Sequence, residues 1–157
     1  MTELFILRHG NTFDEGDIVT RVGARTDLAL SASGHAQADG VAAHFAERGL
    51  RFERIVAAPL KRTMMTAEAV RAATGGPPIE PLELLTEIDY GLDENQPEER
   101  VVARIGEQAL KNWDENAVPP PGWRVDRALR TSGGGRRTPR RPGRARHRRS
   151  TRRGQRG

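Results

Sequence analysis

Cysteine is missing from this 157-residue sequence, which excludes disulfides and thiolate metal centres. Aromatic residues are scarce at 4%, so the hydrophobic core is expected to be modest. No uncharged apolar run approaches the roughly 20 residues that a membrane span needs. No basic stretch leads into an apolar one at the N-terminus, so no signal peptide is expected, and the default location is the cytoplasm. Acidic residues are lacking in one region only. Residues 124–157 carry 14 arginines and a single acid, Asp126, a net charge of +13. Residues 1–123 carry 12 basic and 20 acidic side chains, a net charge of −8. The overall +5 therefore hides two different polypeptides joined near residue 124. We read 1–123 as one domain and 124–157 as an Arg/Gly/Pro-rich tail. The tail holds too few apolar side chains to offset its ordering entropy, so disorder is expected there.

The most informative stretch is residues 4–12, LFILRHGNT. Four apolar residues run into Arg8, His9 and Gly10, which predicts a buried first strand over residues 2–8 that ends in a glycine turn. In an open α/β sheet, ligands bind at the carboxyl ends of strands. The strand thus delivers an arginine, whose planar fork suits phosphate, and a histidine, which serves as a nucleophile near neutral pH. Residues 11–30 are polar and lack periodicity. A loop of that length beside Arg8 and His9 is expected to wrap the same site.

Further elements follow in order. Ser31 or Ser33 caps a helix whose buried face is Ala38, Val41, Ala42 and Phe45, and Gly49 ends it. His35 and His44 lie on that helix and read as solvated or partly buried. Residues 54–58 predict a second strand. A helix follows from Leu60 to about Ala73, stopped by Gly75-Gly76-Pro77-Pro78. Arg62 sits in its first turn, where the helix dipole favours an anion. Alone it reads as a solvated arginine; beside a strand end of the same sheet it reads as a phosphate ligand. Residues 79–85 predict a third extended segment. In Thr86-Glu87-Ile88-Asp89-Tyr90-Gly91, two carboxylates flank one isoleucine, so in extended backbone only one faces a site. Pro97 opens a helix with a stripe of Val102, Ile105, Ala109 and Trp113, and Trp113 is expected to anchor the core.

The segments LRHGNT, ALSASGHAQA, APLKRTMMTAE and LTEIDYG resemble, in order and spacing, the histidine phosphatase superfamily, which includes cofactor-dependent phosphoglycerate mutases. The resemblance covers residues 2–123. It implies an α/β three-layer sandwich with a mostly parallel central sheet, here incomplete at the C-terminus, and a phosphohistidine mechanism. By resemblance, His9 is the nucleophile and Glu87 the proton donor to the leaving oxygen. Arg8 and Arg62 clamp the phosphate, with Asn11 and Thr12 as loop contacts. Asp89 is left to cap or pair locally. Arg25 lines the entrance or else pairs with Asp27. Phosphoryl transfer rests mainly on positioning and charge stabilisation, which arginines supply. A carboxyl group in an anionic, partly desolvated site keeps the proton that a leaving alkoxide needs. No metal and no cofactor is expected.

Three departures from the family pattern stand out. Glu15 replaces an asparagine common three residues after Thr12. Leu92-Asp93-Glu94-Asn95 replaces a bulkier segment after the acid. The second active-site histidine, expected on a later strand, has no counterpart, because the only histidine after residue 44 is His147 in an arginine run. Such a change in composition is what a GC-rich gene gives when read out of frame near residues 124–130. The leading expectation is a phosphatase of small phosphomonoesters, impaired by loss of the second histidine. One alternative is a mutase, disfavoured because residues 92–123 offer only Arg100, Arg104 and Lys111 as cations. Another is an inactive fold whose basic tail binds nucleic acid non-specifically. A small phosphorylated substrate is the expected partner; membrane association is not expected, and the residues leave the oligomeric state open.

Overall fold

The structure, a computed structural model, describes residues 3–125. The expectations for the tail (disorder, an out-of-frame origin, nucleic-acid binding and the placement of His147) concern residues that lie, beyond Val125, outside the described ones. Two parallel strands and four α-helices make an α/β fold. Helix α1 spans Ala32–Glu47, β1 Ile55–Ala57, α2 Lys61–Thr74, β2 Ile79–Pro81, α3 Glu98–Ile105 and α4 Glu107–Asn116. Strands β1 and β2 pair in register Ile55↔Ile79, Val56↔Glu80 and Ala57↔Pro81, with α2 as the crossover. The expected parallel sheet is thus present, among the described residues, as two strands.

Local chemistry sets the helix ends. The Ser31 hydroxyl accepts the Gly34 N–H at 3.2 Å and caps α1, as the sequence predicts. Gly49 and Gly75 follow α1 and α2 in the left-handed conformation that terminates helices. Helix α1 buries Ala38, Ala42 and Phe45, spaced four and three apart on one face, against α2. The core cluster is Ala42, Phe45 and Val70, with Leu50 and Phe52 packed on it. His35 and His44 are exposed on α1, as expected.

Three expected elements differ. Residues 2–8 do not join the sheet: among the described residues, 3–9 have no backbone hydrogen-bond partner. An apolar run signals strand tendency, but a strand also needs a neighbour. The 79–85 segment is extended only to Pro81 and then tightens into a 3₁₀ turn at Glu83–Leu85. The helix after Pro97 breaks at Gly106 (φ 82°), giving α3 and α4. Its most buried side chain is Val101 rather than the Val102–Ile105 stripe. Trp113 is only half-buried, and Trp123 is the buried indole.

Gly10 and Gly34 are both buried and close together. A Cβ on Gly34 would strike the Asn11 carbonyl, and one on Gly10 would strike the Gly34 carbonyl. Gly34→Ala would gain about 1 kcal/mol of helix propensity. Overpacking against rigid backbone costs about 1–3 kcal/mol and outweighs that gain. A lower urea midpoint is therefore expected for Gly34→Ala; a raised midpoint would show that the close approach is dispensable.

Candidate active site

His9 ends the extended N-terminal run, and its ring is held from both sides. Nδ1 lies 2.7 Å from the Gly10 carbonyl oxygen. Nε2 lies 3.2 Å from Arg62 Nε. A carbonyl only accepts and a guanidinium N–H only donates, so Nδ1 carries the proton and Nε2 presents a lone pair. Those two contacts define a neutral imidazole with Nε2 as its unprotonated nitrogen.

Arg62 is the most buried charged side chain of the site, 1% exposed. Its Nη1 donates to the Thr26 carbonyl at 2.8 Å and its Nη2 to the Gly23 carbonyl at 3.2 Å. The 11–30 loop therefore wraps the site, as its length suggested. Three of the five guanidinium N–H groups are engaged, leaving two. Thr66, one turn along α2, donates to the Arg62 carbonyl at 2.8 Å and accepts the Gly10 N–H at 3.2 Å.

Electrostatics agree with the geometry. Burial pushes the His9 pKa below 6.5; the Gly10 hydrogen bond opposes this, Arg62 and Arg8 reinforce it, and Glu87 opposes it weakly. Burial also lowers the Arg62 pKa, opposed by Glu87, Asp27 and Glu94. Arg8 is exposed and lines, with His9, Gln37 and Thr66, a small cleft of about 70 Å³.

The remaining expected residues sit further from the ring. Glu87 is exposed rather than desolvated, and its Oε1 accepts its neighbour's N–H from Ile88 at 2.9 Å. Its charge acts on His9, Arg62 and Tyr90. Asn11 turns toward α1: its side chain donates to Ser33 Oγ at 3.3 Å, and its N–H donates to Gln37 Oε1 at 2.9 Å. Thr12 is half-buried beside it. Arg25 pairs with Asp89 at 2.9 Å, not with Asp27, and also donates to the Gly91 carbonyl. It lines a second pocket of about 280 Å³ together with Arg104 and Arg124. Asp27 instead accepts the Lys61 N–H at 2.6 Å, at the start of α2. Glu15 is exposed.

Three carboxylates that support the site carry no local sequence signal. Asp14 accepts the Ser31 hydroxyl at 2.7 Å and the N–H groups of Ala32 and Ser33 at 3.0 and 3.1 Å. These hydrogen bonds, led by those from the Ser33 and Ser31 side chains, hold its pKa down to about 2. Glu94 accepts the N–H groups of Gly23, Arg25 and Tyr90, as well as the Thr26 hydroxyl. It thereby shapes the loop whose carbonyls grip Arg62. Asp93, fully buried, ties Arg104 at 2.6 Å to Trp123 Nε1 at 2.6 Å. Trp123 stacks edge-on with Tyr90 and Trp113, and Arg21 lies 4.9 Å over its ring.

These groups give two linked pH dependences. The folded pKa of His9 is below its unfolded value of 6.5, so the unfolded chain binds the extra proton. Its contribution to stability is full above pH 6.5 and declines as pH falls through that value. Asp14, lowered from 3.8 to about 2, contributes fully above 3.8 and loses its contribution as pH falls toward 2. Urea midpoints should therefore fall in two stages on acidification; a His9→Gln variant should lack the first stage and an Asp14→Asn variant the second.

A neutral histidine whose Nε2 accepts from a buried arginine thus ends the extended N-terminal run of this α/β fold. Residues 4–131 match the model of the histidine phosphatase superfamily (branch 1), and the chain belongs to that family. It is 28% identical over 122 residues to the 2,3-bisphosphoglycerate-dependent phosphoglycerate mutase of Brucella ovis, covering 76% of this chain and 58% of that protein. The chain thus spans a little over half the length of the curated relatives it matches. Among solved structures it is similar to a mycobacterial glucosyl-3-phosphoglycerate phosphatase in complex with VO3, with TM-score 0.62 and 25% identity over 74% of this chain and 56% of the other. The same phosphatase with inorganic phosphate gives TM-score 0.60 and 25% identity, over 80% and 56% of the two chains. A phosphoserine phosphatase from Entamoeba histolytica in complex with 3-phosphoglyceric acid gives 0.53 and 26%, over 71% and 52%. Among the described residues, no helix is long and apolar enough to cross a membrane.

Proposed function

We propose that the chain is a phosphatase of small phosphomonoesters that works through phosphorylated His9. The observation that carries this reading is the fixed neutral ring of His9, with Nε2 directed at Arg62. Nε2 attacks phosphorus, the ester P–O bond breaks, and the leaving oxygen takes a proton from Glu87. Water then attacks the phosphohistidine and releases phosphate. Arg62 and Arg8 stabilise charge on the transferring oxygens. Asn11 and Thr12 contribute backbone and hydroxyl contacts at the rim, and Arg25 guards the entrance through its pair with Asp89. Residues 1–123 form the family domain, and 124–157 make no contribution to the chemistry.

Hydrolysis is preferred to mutase activity on one observation. Among the few cations after Glu87, Arg104 is committed to Asp93 and cannot also hold a substrate carboxylate. On this reading neither His35 nor His44, both exposed on α1, serves as the second histidine. Slow dephosphorylation is the expected consequence, with a burst of one phosphoryl group per chain followed by weak turnover. Incubation with an aryl phosphate and quantification of released phenol tests this reading. A linear time course with no burst would discard the slow second step. Net conversion between phosphoglycerates without phosphate release would favour the mutase. For the arginine-rich tail, the corresponding reading is salt-dependent DNA binding, tested by deleting residues 124–157; unchanged affinity would remove it.

A further inference from the structure

One turn of the 11–30 loop, residues 23–26, faces two ways. Its N–H groups point to the segment after Glu87. Gly23 and Arg25 donate to the Glu94 carboxylate at 3.2 and 3.3 Å, and Ala24 donates to the Ile88 carbonyl at 2.9 Å. Its carbonyls point the other way, with Thr26 and Gly23 accepting from Arg62. The Gly23 carbonyl and the Ala24 N–H belong to one trans peptide unit, so they point in opposite directions. Fixing the N–H side of the turn therefore aims that carbonyl toward Arg62.

Glu94 supplies most of that fixing, and its surroundings suit a carboxylate. Its two oxygens accept from the N–H groups of Gly23, Arg25 and Tyr90 and from the Thr26 hydroxyl. An amide in its place would turn an NH2 group toward two of those donors. The fit is close as well: a Cβ on Gly23 would lie 2.3 Å from Glu94 Oε1. Neither oxygen is hydrogen-bonded to His9, whose ring contacts are Gly10 and Arg62. The path from Glu94 to the ring runs through the turn and Arg62.

We propose that Glu94 is the positioning residue of the site: by holding the 23–26 turn it aims the Arg62 guanidinium so that Nε meets His9 Nε2. This role rests on the reading of His9 as the nucleophile. Arg62 both directs the neutral ring and faces the transferring phosphate, so a tilted guanidinium fails at both tasks. The charged groups that act on the ring are Arg62 from α2, Arg8 from the N-terminal run and Glu87 from the segment before Glu94. Of these, among the described residues, Arg62 alone hydrogen-bonds to the turn. Releasing the turn therefore withdraws one cation from the ring.

NMR titration of the four histidine rings in the full-length protein tests this, with the His9 signal identified by its loss in His9→Gln. Burial first, then Arg62 and Arg8, holds the His9 pKa below 6.5. Its midpoint should therefore rise toward 6.5 in Glu94→Gln, with the helical circular dichroism unchanged. Thr26→Val, which removes one of the four donors to Glu94, should move it the same way by less. Val70→Ala, in the α1–α2 core, should lower the urea midpoint and leave His9 unmoved. In an Arg62→Lys background, Glu94→Gln should add no further shift, as expected for two residues acting in series. The burst rate with an aryl phosphate should fall about tenfold or more in Glu94→Gln. An unmoved His9 midpoint or an unaltered burst rate in folded Glu94→Gln overturns the proposal. So does a full shift in the Arg62→Lys background, or an equal shift in Val70→Ala. Should Glu94→Gln fail to fold, an unmoved midpoint in Thr26→Val overturns it. The titration uses no substrate, so a protein without any burst loses the phosphatase reading while the His9 midpoints still decide the role of Glu94.

Discussion

His9→Ala is expected to abolish hydrolysis of an aryl phosphate, a loss of about 10³-fold or more, because removing a covalent nucleophile leaves only binding and charge stabilisation. The loss should fall on kcat rather than on substrate affinity, since Arg62 and Arg8 remain to hold the phosphate. A chemical signature accompanies it. Phosphate trapped on the unaltered protein should be released by acid and retained in base, as expected for a P–N bond, and the alanine variant should trap none. Because burial lowers the His9 pKa, the acid limb of the burst rate should lie below pH 6.5. Retained turnover in His9→Ala would move the chemistry to another residue. An acid limb above 6.5 would contradict the buried, cation-flanked ring.

Arg62→Ala should damage stability and activity together. It leaves the Thr26 and Gly23 carbonyls without their donors in a buried place. Each unsatisfied buried acceptor costs about 1–3 kcal/mol, so a loss of about 2–6 kcal/mol is expected. That range is a large share of the stability of a domain this size. It also frees His9 Nε2, so any residual folded protein should show a raised histidine pKa by NMR, through loss of a neighbouring cation. Arg62→Lys separates the two effects. A lysine keeps the charge but not the planar fork, so it cannot reach His9 and both carbonyls at once. It should recover part of the stability and little of the burst. Equal burst amplitudes in Arg62→Lys and the unaltered protein would mean that charge alone suffices.

The parts of the fold that were legible in the sequence are those governed by neighbours along the chain. Ser31, Gly49 and Gly75 mark helix ends because capping is settled within a few residues. The face of α1 is visible because Ala38, Ala42 and Phe45 repeat at helical spacing. The expected first strand differs for the opposite reason: Leu4–Leu7 has the composition of a strand, but pairing depends on a partner far away in sequence. Gly106 lies inside a periodic apolar pattern that predicts one helix, and its positive φ splits that helix into two. In the site, the first-turn position of Arg62 alone reads as a solvated arginine, and only the neighbouring strand end in the sequence draws it toward His9. Asp14, Glu94 and Asp93 are not legible, because each acts on backbone or side-chain donors 11 to 71 residues away in sequence that no motif announces. Arg25 shows the same limit, since Asp27 is nearer in sequence but Asp89 is nearer in space.

The Thr66 hydroxyl has a mechanical consequence. Moving out from the N-terminus, Gly10 carries the first backbone amide among the described residues that has any partner, and that partner is Thr66. The same hydroxyl is anchored on the Arg62 carbonyl, so one side chain ties the backbone beside His9 to the backbone of Arg62. Thr66→Val, nearly the same shape, should let the histidine drift away from the arginine without unfolding either helix.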